Sequence, residues 1–304
     1  MLNDDITAYV KLRRAAGFKF ESEARVLKNF IVFAEAQGDT LVRVATVLEW
    51  AATTPSLKQR RKRLLMVRRF ALAVKAEDPN HEVPAADALG HTKRERPPPY
   101  IYTAKEITSL MHAAAHMQTS NPIKPTMYAT LFGLLAATGL RISEALALRC
   151  DDIIEDGLIV RMTKFKKSRL VPLHETTRRA LDSYLSVRKQ HNALNAFLFI
   201  SISGRVLPYQ TVLDTFRRLA SSIGLREAHS PQGPRIHDLR HTFAVRSLEQ
   251  CGCDRDEVAR HMVALSTYMG HACVTDTYWY LQATPVLMKQ IAEVAERQQQ
   301  GGAT

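Results

Sequence analysis

Residues 138–148 of this 304-residue chain read TGLRISEALAL, and this stretch decides the fold of the second half. Gly139 follows a long apolar segment, and a second apolar segment begins at Ile142. Glycine readily takes the left-handed conformation that ends a helix, so the stretch predicts two helices joined by a tight turn. Arg141 lies where the second helix begins, and Glu144 lies in its first turn.

Four further segments carry side chains that are able to act on a phosphodiester. Arginine forks bind phosphate oxygens in pairs, a tyrosine hydroxyl is a nucleophile once its proton is removed, and histidine and lysine transfer protons near neutral pH. The sequence shows neither a GxxxxGK[ST] loop nor the carboxylate cluster of a two-metal nuclease, so these groups permit a transesterification without metal or ATP. The segments are Lys164 at the tip of a predicted hairpin, HDLRHTFA at 237–244, MGH at 269–271 and TYWYL at 277–281.

Two of these assignments have a competitor close by in the sequence. Lys166 and Lys167 share the hairpin turn with Lys164. Tyr278 lies two residues before Tyr280, and aromatic residues at such spacing are typical of a core. Both alternatives stay open on the residues alone.

The histidines and arginines also have structural interpretations. His237 and His241 are four residues apart, a spacing that places two metal ligands on one helix face, but the glutamate of an HExxH site is absent. We therefore expect no metal site, and His241 is then interpreted as a core histidine. His271 alone is typical of a structural residue, and Arg240 alone of an ion-pair partner on a helix surface.

The first part of the chain, about residues 3–76, has apolar residues at helical spacing and predicts an all-helical domain. A helix is expected to start at Ser56, and seven of the twelve residues from 58 to 69 are basic. Because a solvated helix usually mixes both signs of charge, this helix favours contact with a DNA backbone over a merely solubilising role. Its basic residues are Lys58, Arg60, Arg61, Lys62, Arg63, Arg68 and Arg69.

A change of composition separates this helical part from the rest of the chain. Three consecutive prolines at 97–99, after a charged run, stop a helix and favour an extended connector. The second domain is predicted to be mainly α with a small antiparallel β-sheet (α+β), whose strands lie near 157–162 and 169–173. The predicted boundaries are 1–78 for the helical domain, 79–100 for the linker and 101–304 for the second domain.

Bulk composition limits the class of protein further. The formal net charge of +12 favours polyanionic partners, because neutralised phosphates release condensed counterions. No apolar run reaches the roughly 18 residues that a membrane helix requires. The acidic N-terminus is unlike a signal peptide, and the four cysteines form no CxxC pair, so a cytoplasmic protein with reduced cysteines is expected.

The order of these segments resembles the tyrosine recombinase (phage integrase) family over about residues 103–285. TGLRISEALAL, HDLRHTFA and MGH match the boxes of that family closely, and Tyr280 lies nine residues beyond His271. The resemblance implies that Arg141 and Arg240 hold the scissile phosphate and that Tyr280 forms a 3′-phosphotyrosyl link. It also implies that Lys164 protonates the leaving 5′-oxygen, while His237 and His271 bind the phosphate and manage protons. Glu144 would support the site.

The same resemblance implies a fold and a set of partners. It implies a two-domain DNA clamp with an N-terminal all-α core-binding domain and no cofactor. The partners would be double-stranded DNA with inverted-repeat core sites and further copies of the chain, as a dimer on one site and a tetramer in synapsis. The implied role is integration, excision or transposition of mobile DNA in the bacterial cytoplasm, in association with the nucleoid and not with a membrane.

Several alternatives remain at this stage. The same chemistry is used by type IB topoisomerases, and a DNA-binding accessory protein with a vestigial site would carry some of the same residues. A metal-dependent nuclease lacks its carboxylates here. A predicted helix at about 286–297 is expected to dock either on its own domain or on a neighbouring subunit.

Overall fold

In the computed structural model the chain forms two compact units, Met1–Arg96 and Pro97–Thr304. Among its helices, none in the described part is long and apolar enough to cross a lipid bilayer. The structure describes residues 2–90, 99–161, 168–190, 196–201, 204–227, 230, 233–251, 255–271, 273, 275, 277 and 280.

The first unit packs its helices around an apolar core. Phe30 and Phe70 are fully buried, and the ring of Phe30 meets that of Trp50 edge to face with centroids 5.3 Å apart. The predicted helix start at Ser56 is confirmed, since its hydroxyl accepts a hydrogen bond from the backbone N–H of Gln59. The helices described in this unit are α1 (Leu2–Ala15), α2 (Glu21–Ala36), α3 (Val44–Ala52) and α4 (Leu57–Val74).

Residues 79–90, which the sequence assigns to a linker, are attached to the first unit. The ring of His81 is buried and accepts a hydrogen bond of 3.1 Å from the backbone N–H of Val42. The Glu82 carboxylate accepts another, of 2.7 Å, from the backbone N–H of Val44. Composition did not reveal this attachment, because an irregular segment held by side-chain hydrogen bonds has no hydrophobic period.

The second unit contains helices and a small sheet, and buried strand residues such as Leu158 and Val171 belong to the same core as the helices. A capping box starts its first helix, because Thr103 and Glu106 exchange side-chain and backbone hydrogen bonds there. The helix predicted at about 286–297 lies outside the described residues. The described helices are α5 (Ala104–Ala115), α6 (Ile123–Thr138), α7 (Ile142–Ala147), α8 (Glu175–Gln190), α9 (Tyr209–Ser222), α10 (Asp238–Glu249) and α11 (Arg255–Met269), with a short 3₁₀ helix at Cys150–Asp152.

Three antiparallel strands follow α7, in the order β1 (Ile153–Ile154), β2 (Gly157–Val160) and β3 (Arg169–Val171). In their register Leu158 pairs with Val171 and Val160 with Arg169. The predicted fold class, mainly helical with a small antiparallel sheet, is confirmed. Because alternate residues of a strand share a face, the side chain of Arg169 lies on the same face as that of buried Val171.

Candidate active site

The turn between α6 and α7 positions the first arginine. Gly139 ends α6 with a φ of +59°, and a Cβ atom at this position would lie 2.5 Å from the ring of Phe243. Glycine is therefore required both by the left-handed backbone and by the packing. Two residues later, Nη1 of Arg141 donates a hydrogen bond of 2.8 Å to Glu144, and the arginine side chain remains 28% exposed.

The carboxylate of Glu144 is the negative centre of the site. It accepts from the backbone N–H of Arg141 at 3.0 Å and from both Nη atoms of Arg169, at 3.1 Å and 2.8 Å. Burial alone would raise the pKa of Glu144, but the hydrogen bonds and charges of Arg169 and Arg141 outweigh burial and lower the pKa to about 2. This glutamate is therefore ionised across the physiological range.

The second arginine, Arg240, lies in the first turn of α10 and is buried. It donates to the carbonyl of Gly139 at 2.6 Å and to that of Met269 at 2.7 Å. Nη1 of Arg141 donates to the same Met269 carbonyl at 3.4 Å, so the two guanidinium groups lie side by side. Burial and the positive charge of Arg141 lower the pKa of Arg240 to about 10, and an anion bound between the two groups would relieve their repulsion.

His271 is oriented from both sides of its ring. Nη2 of Arg240 lies 3.0 Å from Nε2 of His271, and Nδ1 lies 2.7 Å from the hydroxyl of Thr277. A guanidinium can only donate, so Nε2 accepts and the proton of the neutral ring is on Nδ1, which donates to Thr277. Arg240 thus sets the tautomer of His271, and the hydroxyl of the fully buried Thr277 accepts the hydrogen bond from Nδ1.

The two other histidines of the site, His237 and His241, lie at the start of α10, and their ring centroids are 4.7 Å apart. Burial and the nearby charge of Arg240 lower the pKa of His237 below its usual range. Burial and the proximity of His237 lower the pKa of His241 to about 4. His241 is therefore neutral near pH 7.

This burial of a neutral histidine predicts a loss of stability in acid. The folded-state pKa of His241 lies below its ordinary value of 6.5, so the unfolded chain binds more protons, and stability present above pH 6.5 is lost as the pH falls toward 4. Between pH 7.5 and pH 5 we expect a loss on the order of 2 kcal/mol from this residue, measured by urea unfolding. The His241→Gln variant should lose less over this interval than the native chain. The same change at exposed His112 should leave the pH dependence as it was, and an equal flattening by both variants would contradict the assignment.

Tyr280 lies beside these histidines and is 3% exposed. Its ring centroid is 5.4 Å from that of His241 and 6.1 Å from that of His271, with the His271 ring nearly parallel. Buried residues of α10 and α11, among them Leu248 and Leu265, form the apolar cluster that contains it. The structure thus places Tyr280 beside His271, the histidine that Arg240 contacts, while its competitor at position 278 lies outside the described residues.

The proposed general acid also lies outside the described residues. Lys164 and its competitors Lys166 and Lys167 belong to the segment between β2 and β3, which is described only up to 161 and again from 168. The other residues that the sequence predicts for the site are described, and they form one cluster. They are Arg141, Glu144, His237, Arg240, His271 and Tyr280.

Two residues of this cluster were missed by the sequence analysis. Arg169 was interpreted only as the start of a strand, and Thr277 only as a neighbour of the tyrosines. The signal for Arg169 was a charge on the same face of the strand as Val171, where an apolar residue is the usual choice. Thr277 left no comparable signal, because its partner is set by the tertiary fold.

The comparison with protein families agrees with this geometry. The model of the phage integrase family matches residues 101–285. The chain belongs to the phage integrase family. A relative from Sinorhizobium fredii, described as the putative integrase/recombinase y4rB, is 39% identical to this chain, with 96% of each chain covered.

Two further comparisons concern a second relative and a solved structure. The tyrosine recombinase XerD of Bifidobacterium longum is 32% identical to this chain, and the match covers 62% of this chain and 59% of the relative. A lambda integrase tetramer bound to a Holliday junction has a chain that is 18% identical, with a TM-score of 0.64, covering 92% of this recombinase and 76% of that chain. This recombinase is thus a site-specific tyrosine recombinase, an enzyme that transfers DNA strands.

Proposed function

We propose that this recombinase cleaves each DNA strand with Tyr280 and holds the scissile phosphate between Arg141 and Arg240. The observation that carries the proposal is the pair of guanidinium groups around the Met269 carbonyl, with Tyr280 stacked near His271. Arginine forks suit a phosphodiester because they bind its oxygens in pairs and stay charged as negative charge develops. The hydrogen bonds of Arg141 to the carbonyls of Met269 and Gly270 are long, at 3.4 Å and 3.2 Å, so a phosphate would readily replace them.

The chemistry is a transesterification at phosphorus. The oxygen of Tyr280 attacks, the bond to the 5′-oxygen breaks, and a 3′-phosphotyrosyl link forms. The hydroxyl proton of Tyr280 passes to a histidine of the site, His237 or His271, and Lys164 gives a proton to the leaving 5′-oxygen. The two histidines also bind the phosphate. The 5′-hydroxyl of a second strand then attacks the link and releases the tyrosine, so the energy of the phosphodiester is conserved and no ATP is consumed.

The natural substrate in this proposal is a pair of core sites. The lambda integrase structure is of a tetramer on a Holliday junction, and we extend that arrangement to this chain: a dimer on each inverted-repeat site and a tetramer in synapsis. The reaction would serve integration, excision or transposition of mobile DNA in the bacterial cytoplasm.

A covalent trap tests the proposed chemistry. A nicked suicide substrate releases a short fragment after cleavage, so the protein remains attached to the DNA. Incubation of the native chain with such a substrate in EDTA should give an adduct that survives denaturation and is removed by protease. A complete requirement for added divalent metal would point to a nuclease, and the absence of an adduct on cognate DNA that the chain binds would point to a vestigial site.

For the helical unit we propose a narrower DNA-binding face than the sequence suggested. Four of the seven basic side chains of α4 donate to groups of their own unit: Arg60 to Thr54, Arg61 to Gly90, Arg63 to Trp50 and Thr53, and Arg68 to Pro84. Lys58, Lys62 and Arg69 are exposed and have no hydrogen bond or ion pair with the part of the chain that the structure describes. At 100° per residue these three positions fall within about 40° of one another around the helix.

The salt dependence of DNA binding checks this face. The triple variant Lys58→Gln, Lys62→Gln, Arg69→Gln should reduce the slope of log Kd against log salt by up to about 0.9 for each phosphate that these side chains neutralise. A triple variant with the same change of charge on α1, α2 and their connection (Lys11→Gln, Lys19→Gln, Lys28→Gln) is the control. An equal reduction in both triples would show that general charge, and not this face, binds the DNA.

A further inference from the structure

Arg169 holds the buried carboxylate of the active site with both arms of its fork. Its Nη1 lies 3.1 Å from Oε1 of Glu144, and its Nη2 lies 2.8 Å from Oε2. The side chain is 14% exposed, and its buried Nε has no hydrogen-bond partner within the described residues. Arg169 thus keeps one donor unsatisfied in order to align its two Nη atoms with one carboxylate.

The hydrogen bonds of Glu144 leave Arg141 only partly bound. An ionised carboxylate has about four acceptor positions. Arg169 occupies two of them, and the backbone and Nη1 of Arg141 occupy the other two. Because these positions are filled, Arg141 cannot form its own two-armed pair with Glu144, and its Nη2 donates instead to the neutral carbonyl of Gly270 at 3.2 Å.

Gly270 shows how closely Arg169 is fitted. This residue has a φ of +64°, and a Cβ atom there would lie 2.9 Å from Nη1 of Arg169 and 3.2 Å from its central carbon. The glycine of the MGH segment therefore leaves room for Arg169 as well as providing the left-handed turn before His271. The same glycine accepts from Arg141, so both arginines meet at this turn.

We propose that Arg169 is a positioning residue: it occupies Glu144 so that the fork of Arg141 stays available for the scissile phosphate. The inference rests on the proposed role of Arg141. Without Arg169, the buried carboxylate would take both arms of Arg141, which among the described residues is the other cation paired with it. Arg141 would then be neutralised and turned away from the DNA.

A substrate without charge at the scissile position separates this role from a merely structural one. In a methylphosphonate a methyl group replaces one non-bridging oxygen, so the phosphorus centre has no negative charge for Arg141 to bind. On ordinary DNA, Arg169→Met should slow single-turnover cleavage by about 10- to 100-fold, the range typical of residues that orient a binding group. On the methylphosphonate, we expect the deficit relative to the native chain to shrink to about threefold or less. An equal deficit on both substrates would overturn the proposal.

A second change tests the part played by Glu144. In the double variant Arg169→Met, Glu144→Gln no carboxylate remains to take Arg141, so cleavage should be faster than in Arg169→Met alone. A double variant that is slower than the single one contradicts the proposal. If Arg169→Met fails to fold, Arg169→Lys, which retains the charge but not the fork, replaces it on both substrates.

Two controls run beside these variants. Arg161→Met removes another arginine next to the sheet, one paired with buried Asp152, and should cleave both substrates like the native chain. Arg141→Ala should also cleave ordinary DNA slowly and lose less on the methylphosphonate. If Arg141→Ala shows this difference between the substrates and Arg169→Met does not, only the inference about Arg169 is wrong. If neither variant shows the difference, the proposed role of Arg141 is wrong as well.

Discussion

Tyr280→Phe is expected to abolish the covalent protein–DNA adduct while leaving folding and DNA binding intact. The change removes one oxygen atom and keeps the ring that packs between His241 and His271. Since Tyr280 is 3% exposed, its ring is part of the core, and phenylalanine fills nearly the same volume. We expect no detectable adduct on a nicked suicide substrate, with a dissociation constant for cognate DNA within a factor of about two of the native value.

Two other tyrosines make this test specific. Tyr278→Phe should retain the adduct, because the spacing from His271 selects Tyr280. Tyr268 packs against the same apolar cluster, and burial raises its pKa to about 12, so Tyr268→Phe is a matched change in a tyrosine that does not react. Retention of the adduct in Tyr280→Phe together with its loss in Tyr278→Phe would move the nucleophile to position 278.

The sequence predicted the local geometry of the site better than its connections. Gly139 and the helix that begins after Arg141 follow from the properties of glycine and of helix ends, which act over a few residues. The His271–Arg240 contact joins positions 31 residues apart, and no rule of spacing along the chain encodes it. It was accessible only through a resemblance that already contained the three-dimensional arrangement.

Arg169 illustrates the limit most directly. Its partner Glu144 is 25 residues away, on another element, and the pairing depends on the register of β3.

In the basic helix α4 the sequence suggested more DNA contacts than the structure supports. Its charges were visible in the sequence, but the sequence did not show that Arg60 and Arg68 donate to carbonyl groups of their own unit. Composition reveals how many charges a helix carries, and tertiary structure decides which of them remain available.

Arg240→Lys is expected to slow cleavage by roughly 10²- to 10³-fold at saturating DNA, which corresponds to about 3–4 kcal/mol of transition-state stabilisation. A guanidinium has five N–H donors, and the hydrogen bonds to Gly139, Met269 and His271 use three of them. The two that remain have no hydrogen-bond partner among the residues that the structure describes, so a phosphate can accept from them. Lysine keeps the positive charge but has three donors in all, so it cannot hold both carbonyl groups and His271 and still bind the phosphate.

Single-turnover cleavage on the suicide substrate measures this loss, and a mobility shift measures binding alongside it. Arg188→Lys is the matched control, because Arg188 is also a buried arginine that donates to a backbone carbonyl, that of Phe197. If replacing a buried arginine only lowers the stability of the protein, both variants are slowed in the same way. Their cleavage rates per folded molecule would then differ little. If Arg240→Lys cleaves within about fivefold of the native chain, Arg240 is an anchor for the turn at Met269 and not a ligand of the phosphate. A large loss confined to Arg240→Lys places the two remaining donors of Arg240 on the group whose charge increases in the transition state.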